Sequence, residues 1–171
     1  MRTLIVLLSL AALPLSAQTI YDVGGQLNNV SRDLGRALAA ANQEAEVLKT
    51  VSHAAQSLDD TQPANSIDKA IGIIDDFMTK SAKFGPPLAM EMQRLLNLAR
   101  KPLADANLSP GSADIKKLRE QLHHDVVHQL QARMGTNARL IDQLMRQCQQ
   151  MMNETHQALM IATMAATDSG R

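Results

Sequence analysis

The sequence predicts an all-α protein, an elongated helical bundle of long helices with a small two-helix knob inserted, and three observations carry that prediction. Aromatic residues are confined to Tyr21, Phe77 and Phe84, while Ala, Leu, Met and Gln abound, a composition that suits helices and speaks against a sheet. Apolar residues recur at steps of three and four along most of the chain. Breakers at Pro63, Gly85-Pro86, Pro102 and Pro110-Gly111 then cut it into long, short, short and long segments.

Met1 and Arg2 give a short positive start, LIVLLSLAAL an apolar run of about ten residues, and Pro14 to Ala17 a small-residue end, the plan of a secretory signal peptide over residues 1–17. Cleavage is expected after Ala17. The run is shorter than the roughly 20 residues of a membrane span, and no comparable run follows, so no membrane span is expected once the signal is removed. Residues 18–171 then form a single helical domain, periplasmic or secreted.

The first long helix is expected over about residues 25–59, with Leu27, Val30, Leu34, Leu38, Ala41, Ala45, Leu48, Ala55 and Leu58 on its apolar stripe and Arg32, Asp33, Arg36, Glu44 and Lys49 largely on the other faces. Gly24-Gly25 lies just before it, and Asp59 to Pro63 ends it. A short helix follows over about residues 66–83, capped by Ser66 and carrying Ile67, Ile71, Ile74 and Met78 inward. A second short helix, about residues 87–101, opens at Pro86-Pro87, buries Leu88, Met92, Leu95 and Ala99, and stops at Lys101-Pro102. LADANLSPGS is the clearest loop, with Ser112 as the next N-cap.

Beyond it the period resumes through Ile115, Leu118, Leu122, Val126, Leu130, Met134, Ala138, Ile141, Met145, Cys148, Met152, Leu159 and Ala162. Two readings fit: one helix of about 55 residues, or two helices over about residues 112–134 and 136–166 joined at Gly135-Thr136. The cost of an interior Gly, roughly 1 kcal/mol relative to Ala, favours a break there. The tail from Thr167 to Arg171 is expected to fray.

Removing Arg2 with the signal leaves 16 basic against 17 acidic residues, one basic residue fewer than in the full chain, which gives no long-range reason to bind nucleic acid. Cys148 is the single cysteine, so no internal disulfide forms; it is either free or bridged to another molecule.

Two constellations hold possible chemistry. In HDVVH, His124 and His128 stand one helical turn apart, a spacing that suits two imidazoles on one metal ion, and Asp125 occupies the place of the Glu in zinc peptidases. Asp is one methylene shorter than that general base, and no third ligand follows at a familiar spacing, so the segment reads as part of an amphipathic helix with Val126 and Val127 on its core side. Cys148, Met152, His156, Met160 and Met164 form an i+4 line of soft donors, but such a line drifts by about 40° per step, and methionine is an adaptable core filler. No catalytic, cofactor-binding or metal-binding residue is therefore expected, and no cofactor.

The stretch AQTIYDVGGQLNNVSRDLGRALAAANQEAEVLK, residues 17–49, resembles the start of periplasmic conjugal-transfer proteins of the type IV secretion minor pilin family. In that family a short hydrophobic-aromatic-Asp segment precedes a long helix, two smaller helices form a knob, and long helices return to complete a bundle. The resemblance implies a non-enzymatic assembly or adhesion subunit of a conjugal transfer pilus, with other secretion or pilus subunits as partners and helical surfaces as its means of contact. A periplasmic metal-binding helical bundle and a periplasmic holdase-type chaperone are the alternatives.

Overall fold

Helices are the only regular elements among the described residues, in agreement with the all-α bundle that composition and periodicity predict. The computed structural model describes the backbone of residues 2–84 and 89–168 and the side chains of residues 22–82 and 89–167. Helix α1 spans Arg2–Ser57, α2 Pro63–Phe84 and α3 Met90–Asn107; a single 3₁₀ turn, Pro110–Ser112, leads to α4, Ile115–Leu122. A π-helical turn, His123–Val127, then joins α4 to α5, His128–Asp168. The signal side chains, the Gly85-Pro86 stop, the Pro86-Pro87 start, Leu88 and the last three residues lie outside the described set.

The chain divides into two compact units, Leu38–Ala138 and the paired segments Met1–Ala37 with Arg139–Arg171. Within Leu38–Ala138 the core draws on every helix: Val47, Val51, Ala54 and Leu58 from α1, Ile67, Ala70 and Ile74 from α2, Met92, Leu95, Leu96, Ala99 and Leu103 from α3, and Ile115, Leu118, Leu122, Val126, Val127 and Leu130 from the returning helices. Their combined burial is the main stabilising contribution, at about 1.5–3 kcal/mol for each large side chain removed from water.

The ends of α1 and α2 differ from the predicted caps. α1 stops at Ser57, Leu58 turns its side chain into the core, and the Leu58 carbonyl, one of the acceptors a helix end leaves orphaned, takes a hydrogen bond from the Arg119 guanidinium. Asp59 then accepts from the Thr61 backbone N–H and hydroxyl, both at 2.8 Å, and these donors hold its carboxyl below the ordinary Asp value. α2 begins at Pro63, where the missing N–H of proline costs nothing. Ser66 is consequently not an N-cap: it sits buried within the first turn, and its hydroxyl donates to the carbonyls of Pro63 at 3.0 Å and Asp59 at 3.2 Å.

Pro102 does not end the third helix, which runs on to Asn107. An interior proline costs about 3 kcal/mol, and burial of Leu103 recovers about 1.5–3 kcal/mol. The extra turn also lets Asn107 donate to Asp68 of α2 at 2.8 Å and Lys101 pair with Asp105 at 2.9 Å, which tips the balance towards continuation. A two-pronged ion pair from Arg100 to Asp75, at 2.6 and 3.0 Å, staples α3 to α2. Ser112 closes the 3₁₀ turn, and the cap of α4 is Asp114, which accepts from the Lys117 N–H at 3.0 Å.

Neither glycine site breaks a helix. Gly24-Gly25 lies within α1 and Gly135 within α5, none with positive φ, and a Cβ at any of them would meet no atom within 4 Å. An isolated Gly lowers helix stability by about 1 kcal/mol, less than the loss from unwinding a packed helix at that point. The departure from α-helical geometry falls instead at HHDVV, where the sequence carries no breaker.

Candidate functional site: the histidine turn and an uncovered apolar stripe

The π-turn is explained by the helix faces on either side of it. From Val127, the last residue of the π-turn, onward through α5 the inward residues alternate in steps of three and four: Val127, Leu130, Met134, Asn137, Ile141, Leu144, Cys148, Met151, Thr155, Ala158 and Ala162 are buried or half-buried. Extended backwards, that repeat would turn His123 and Glu120 inward, yet both are exposed, and the core residues are Leu122, Leu118 and Ile115. The two phases differ by one residue. One inserted residue is what a π-turn supplies, here closed by the His128 N–H donating to the His123 carbonyl, and it lets adjacent Val126 and Val127 both enter the core.

This places HDVVH on the rim of a packing device. His124 and His128 are exposed, and His124 Nδ1 lies 2.9 Å from Asp125 Oδ1. A carboxylate only accepts, so the imidazole N–H points at Asp125 and that carboxylate is already engaged. No group of three His, Cys, Asp or Glu side chains among the described residues is arranged to hold a metal ion. Cys148 is half-buried in the α5 repeat, whereas Met152, His156, Met160 and Met164 are exposed; the i+4 line of soft donors thus winds off the seam, as its drift requires.

Beside the π-turn lies an open groove of ≈ 500 Å³ lined by Ser52, Ala55 and Gln56 of α1 and Arg119, Glu120, His123 and Val127 of the facing helices. Its one guanidinium is committed, donating to Leu58 O and lying 4.0 Å from Asp60.

The predicted stripes need two corrections. Glu44 is not on an outer face: it is 2 % exposed, with its carboxylate accepting from Arg133 Nε at 3.1 Å and Asn137 Nδ2 at 2.6 Å. Arg133 also lies 3.7 Å from Glu91, which Arg94 grips through Nε and a terminal nitrogen at 3.0 and 2.9 Å. That hydrogen bond, followed by the charges of Arg94 and Arg133, holds the Glu91 carboxyl below the ordinary Glu value. Glu44 stands where an apolar residue is due in the repeat Val23, Leu27, Val30, Leu34, Ala37, Ala41, Glu44, and Leu38, expected inside, is 46 % exposed.

The second correction concerns α5. Within the paired-segment unit, Gln26, Asn29 and Val30 of α1 flank Gln147, Gln150, Met151 and Glu154 of α5. The inward set is Ile141, Leu144, Cys148, Met151, Thr155, Ala158 and Ala162, so three residues expected to be internal, Met145, Met152 and Leu159, are 57 %, 53 % and 50 % exposed. They are spaced by seven and adjoin the seam, widening its apolar arc beyond what one partner helix covers. Ile161 and Met164, further along α5, are also exposed.

No helix among the described residues is long and apolar enough to cross a membrane. No family model matches this chain, and no characterised protein or solved structure is significantly similar to it.

Proposed function

We propose that this chain is a non-enzymatic, exported assembly subunit that works through helix-to-helix contacts, and that those contacts are made by the Met145, Met152 and Leu159 stripe of α5. The observation that carries the proposal is the exposure of these three side chains at seven-residue spacing beside a seam already occupied by α1. Apolar side chains repeated along one line of a helix mark a surface made for another helix, because scattered exposure would show no period. The resemblance of residues 17–49 to the type IV secretion minor pilin family supports a place at a conjugal transfer pilus, with other subunits as partners. Export with cleavage after Ala17 belongs to the same proposal, and an intact mass beginning at Gln18 is its expected mark.

Thiol protection tests the surface directly. With Cys148→Ala as background, Met152→Cys is expected to react freely with a water-soluble maleimide in the denatured chain and to be at least about tenfold slower in the assembled state in the cell envelope. Gln143→Cys, on the opposite side of α5, should label equally fast in both. Equal labelling of Met152→Cys in the two states contradicts the proposal.

A further inference from the structure

The stripe is patterned to match itself. Between its three apolar residues stand Gln149 and His156, and Asp142 and Thr163 flank its ends; all four are exposed, each three or four residues from its apolar neighbours. Together they form a second line of three and four spacing along α5, about 32 Å long at 1.5 Å per residue, beside the seam that α1 fills. If a second α5 lies antiparallel on this line with its two-fold axis at Met152, Met145 faces Leu159 of the second copy and Met152 faces its own equivalent. The same axis brings Gln149 within one residue step, about 1.5 Å, of His156, a pair in which one side chain can donate and the other accept, and Asp142 within one step of the uncharged Thr163, whose hydroxyl already donates to the Leu159 carbonyl. A parallel arrangement instead opposes Asp142 to Asp142, which carries like-charge repulsion, and sets Gln149 and His156 each against its own equivalent.

The burial pattern also favours such a partner. In the paired-segment unit Ala37 alone among the described side chains is buried, at 8 % exposed, and every inward residue of α5 beyond Ala138 is half-buried. Two helices leave such a seam half open to water, and two pairs laid together close it into a four-helix layer. We infer that the occupant of the Met145, Met152 and Leu159 stripe is a second copy of this chain, bound antiparallel through α5 about a two-fold axis at Met152. The surface is isologous, so it closes after two copies and does not propagate a fibre. The inference rests on the reading of the stripe as an assembly surface and specifies its partner.

Sedimentation velocity on the purified chain over roughly 1–100 μM tests it, a range suited to affinities of about −6 to −8 kcal/mol. A dimer is expected. Met152→Glu sets two carboxylates against each other on the axis and should weaken dimerisation at least about tenfold with unchanged helicity by circular dichroism. Met145→Lys and Leu159→Glu should each weaken it comparably, and the double variant should recover to within about threefold of the wild type, because each lysine then faces a glutamate across the axis. A monomer throughout that range, a dimer indifferent to Met152→Glu, or a double variant no better than the singles each overturns the inference. A monomer that still shows Met152 protection in the cell envelope would sink the self-pairing alone and leave the assembly reading standing.

Discussion

Glu44 is the residue that most departs from its sequence pattern. A carboxylate at an apolar position of a helix seam loses several kcal/mol of hydration, and its pairing with Arg133 and Asn137 offsets that loss without making it a net source of stability. Removing one partner is therefore costlier than replacing the whole cluster. Arg133→Ala is expected to destabilise the fold by about 2–3 kcal/mol, at the lower end for a buried pair because Arg133 is half-exposed, whereas Glu44→Leu with Arg133→Met should lie near the wild type. Urea denaturation of both variants measures the difference, and equal losses would contradict this account. Gly135→Ala is a simpler case. With open space around it in a continuous helix, alanine should raise stability by about 1 kcal/mol. A loss would mean that glycine caps a break there. Neither result was legible in the sequence: Glu44 has the charge of a surface residue, and only the positions of Arg133 and Asn137, 89 and 93 residues away, make it internal.

Acid should act at the same scale. Glu91, held below its ordinary value by Arg94, and Asp59, held below its own by Thr61, each bind a proton less readily in the folded chain than in the unfolded one. Their contribution is present above the ordinary carboxylate range and is lost as pH falls through the lowered folded values. The melting temperature should thus be flat from about pH 5 to 7 and decline below about pH 4. Glu91→Gln should make that decline shallower.

At the scale of elements the chain was legible in type, less so in its ends and its last division. The two short helices and the loop between Asn107 and Ile115 follow from the breakers and the apolar period. Pro102 misled because the burial of Leu103 and the Asn107 to Asp68 hydrogen bond lie beyond it, and Gly135 misled because its cost is small against a packed helix. The π-turn has no compositional signature, yet it leaves a trace: the period after Val127 and the period before Leu122 cannot be joined without one extra residue. Length matters there more than identity. Deleting His124 removes the inserted residue, so it should restore α-helical geometry with Ile115, Leu118 and Leu122 still in phase with Leu130, at a cost no larger than the burial of one of the two adjacent valines, about 1.5–3 kcal/mol. His124→Ala with His128→Ala, at constant length, should change stability by no more than about 0.5 kcal/mol, and near-stoichiometric zinc should leave the melting temperature of the wild type unmoved. Zinc retained through purification and lost in that double variant would replace this reading of HDVVH with a metal site.

For the whole molecule, the same seven-residue arithmetic governs the stripe. Taken as four then three from Ile141, the repeat puts Met145, Met152 and Leu159 inside α5; taken as three then four, it puts Leu144, Met151 and Ala158 there and leaves them just outside. Both fit the sequence, and α1 decides between them by covering the second set of residues. The apolar side chains left outside the core by that choice are the physical basis of the proposed assembly role. The most direct test of that claim compares two triple variants in a strain lacking the chain. One carries Met145, Met152 and Leu159 changed to Ser; the other carries Ser at Gln143, Gln150 and Gln157, spaced identically on another face. Conjugal transfer frequency is the measurement. The stripe variant is predicted to fall by at least about a hundredfold, a loss of about 2.7 kcal/mol of contact if it acts on a single equilibrium, while the glutamine variant stays within about threefold of the wild type and both retain helicity. Equal transfer by the two variants, or transfer unaffected by loss of the stripe, would contradict it.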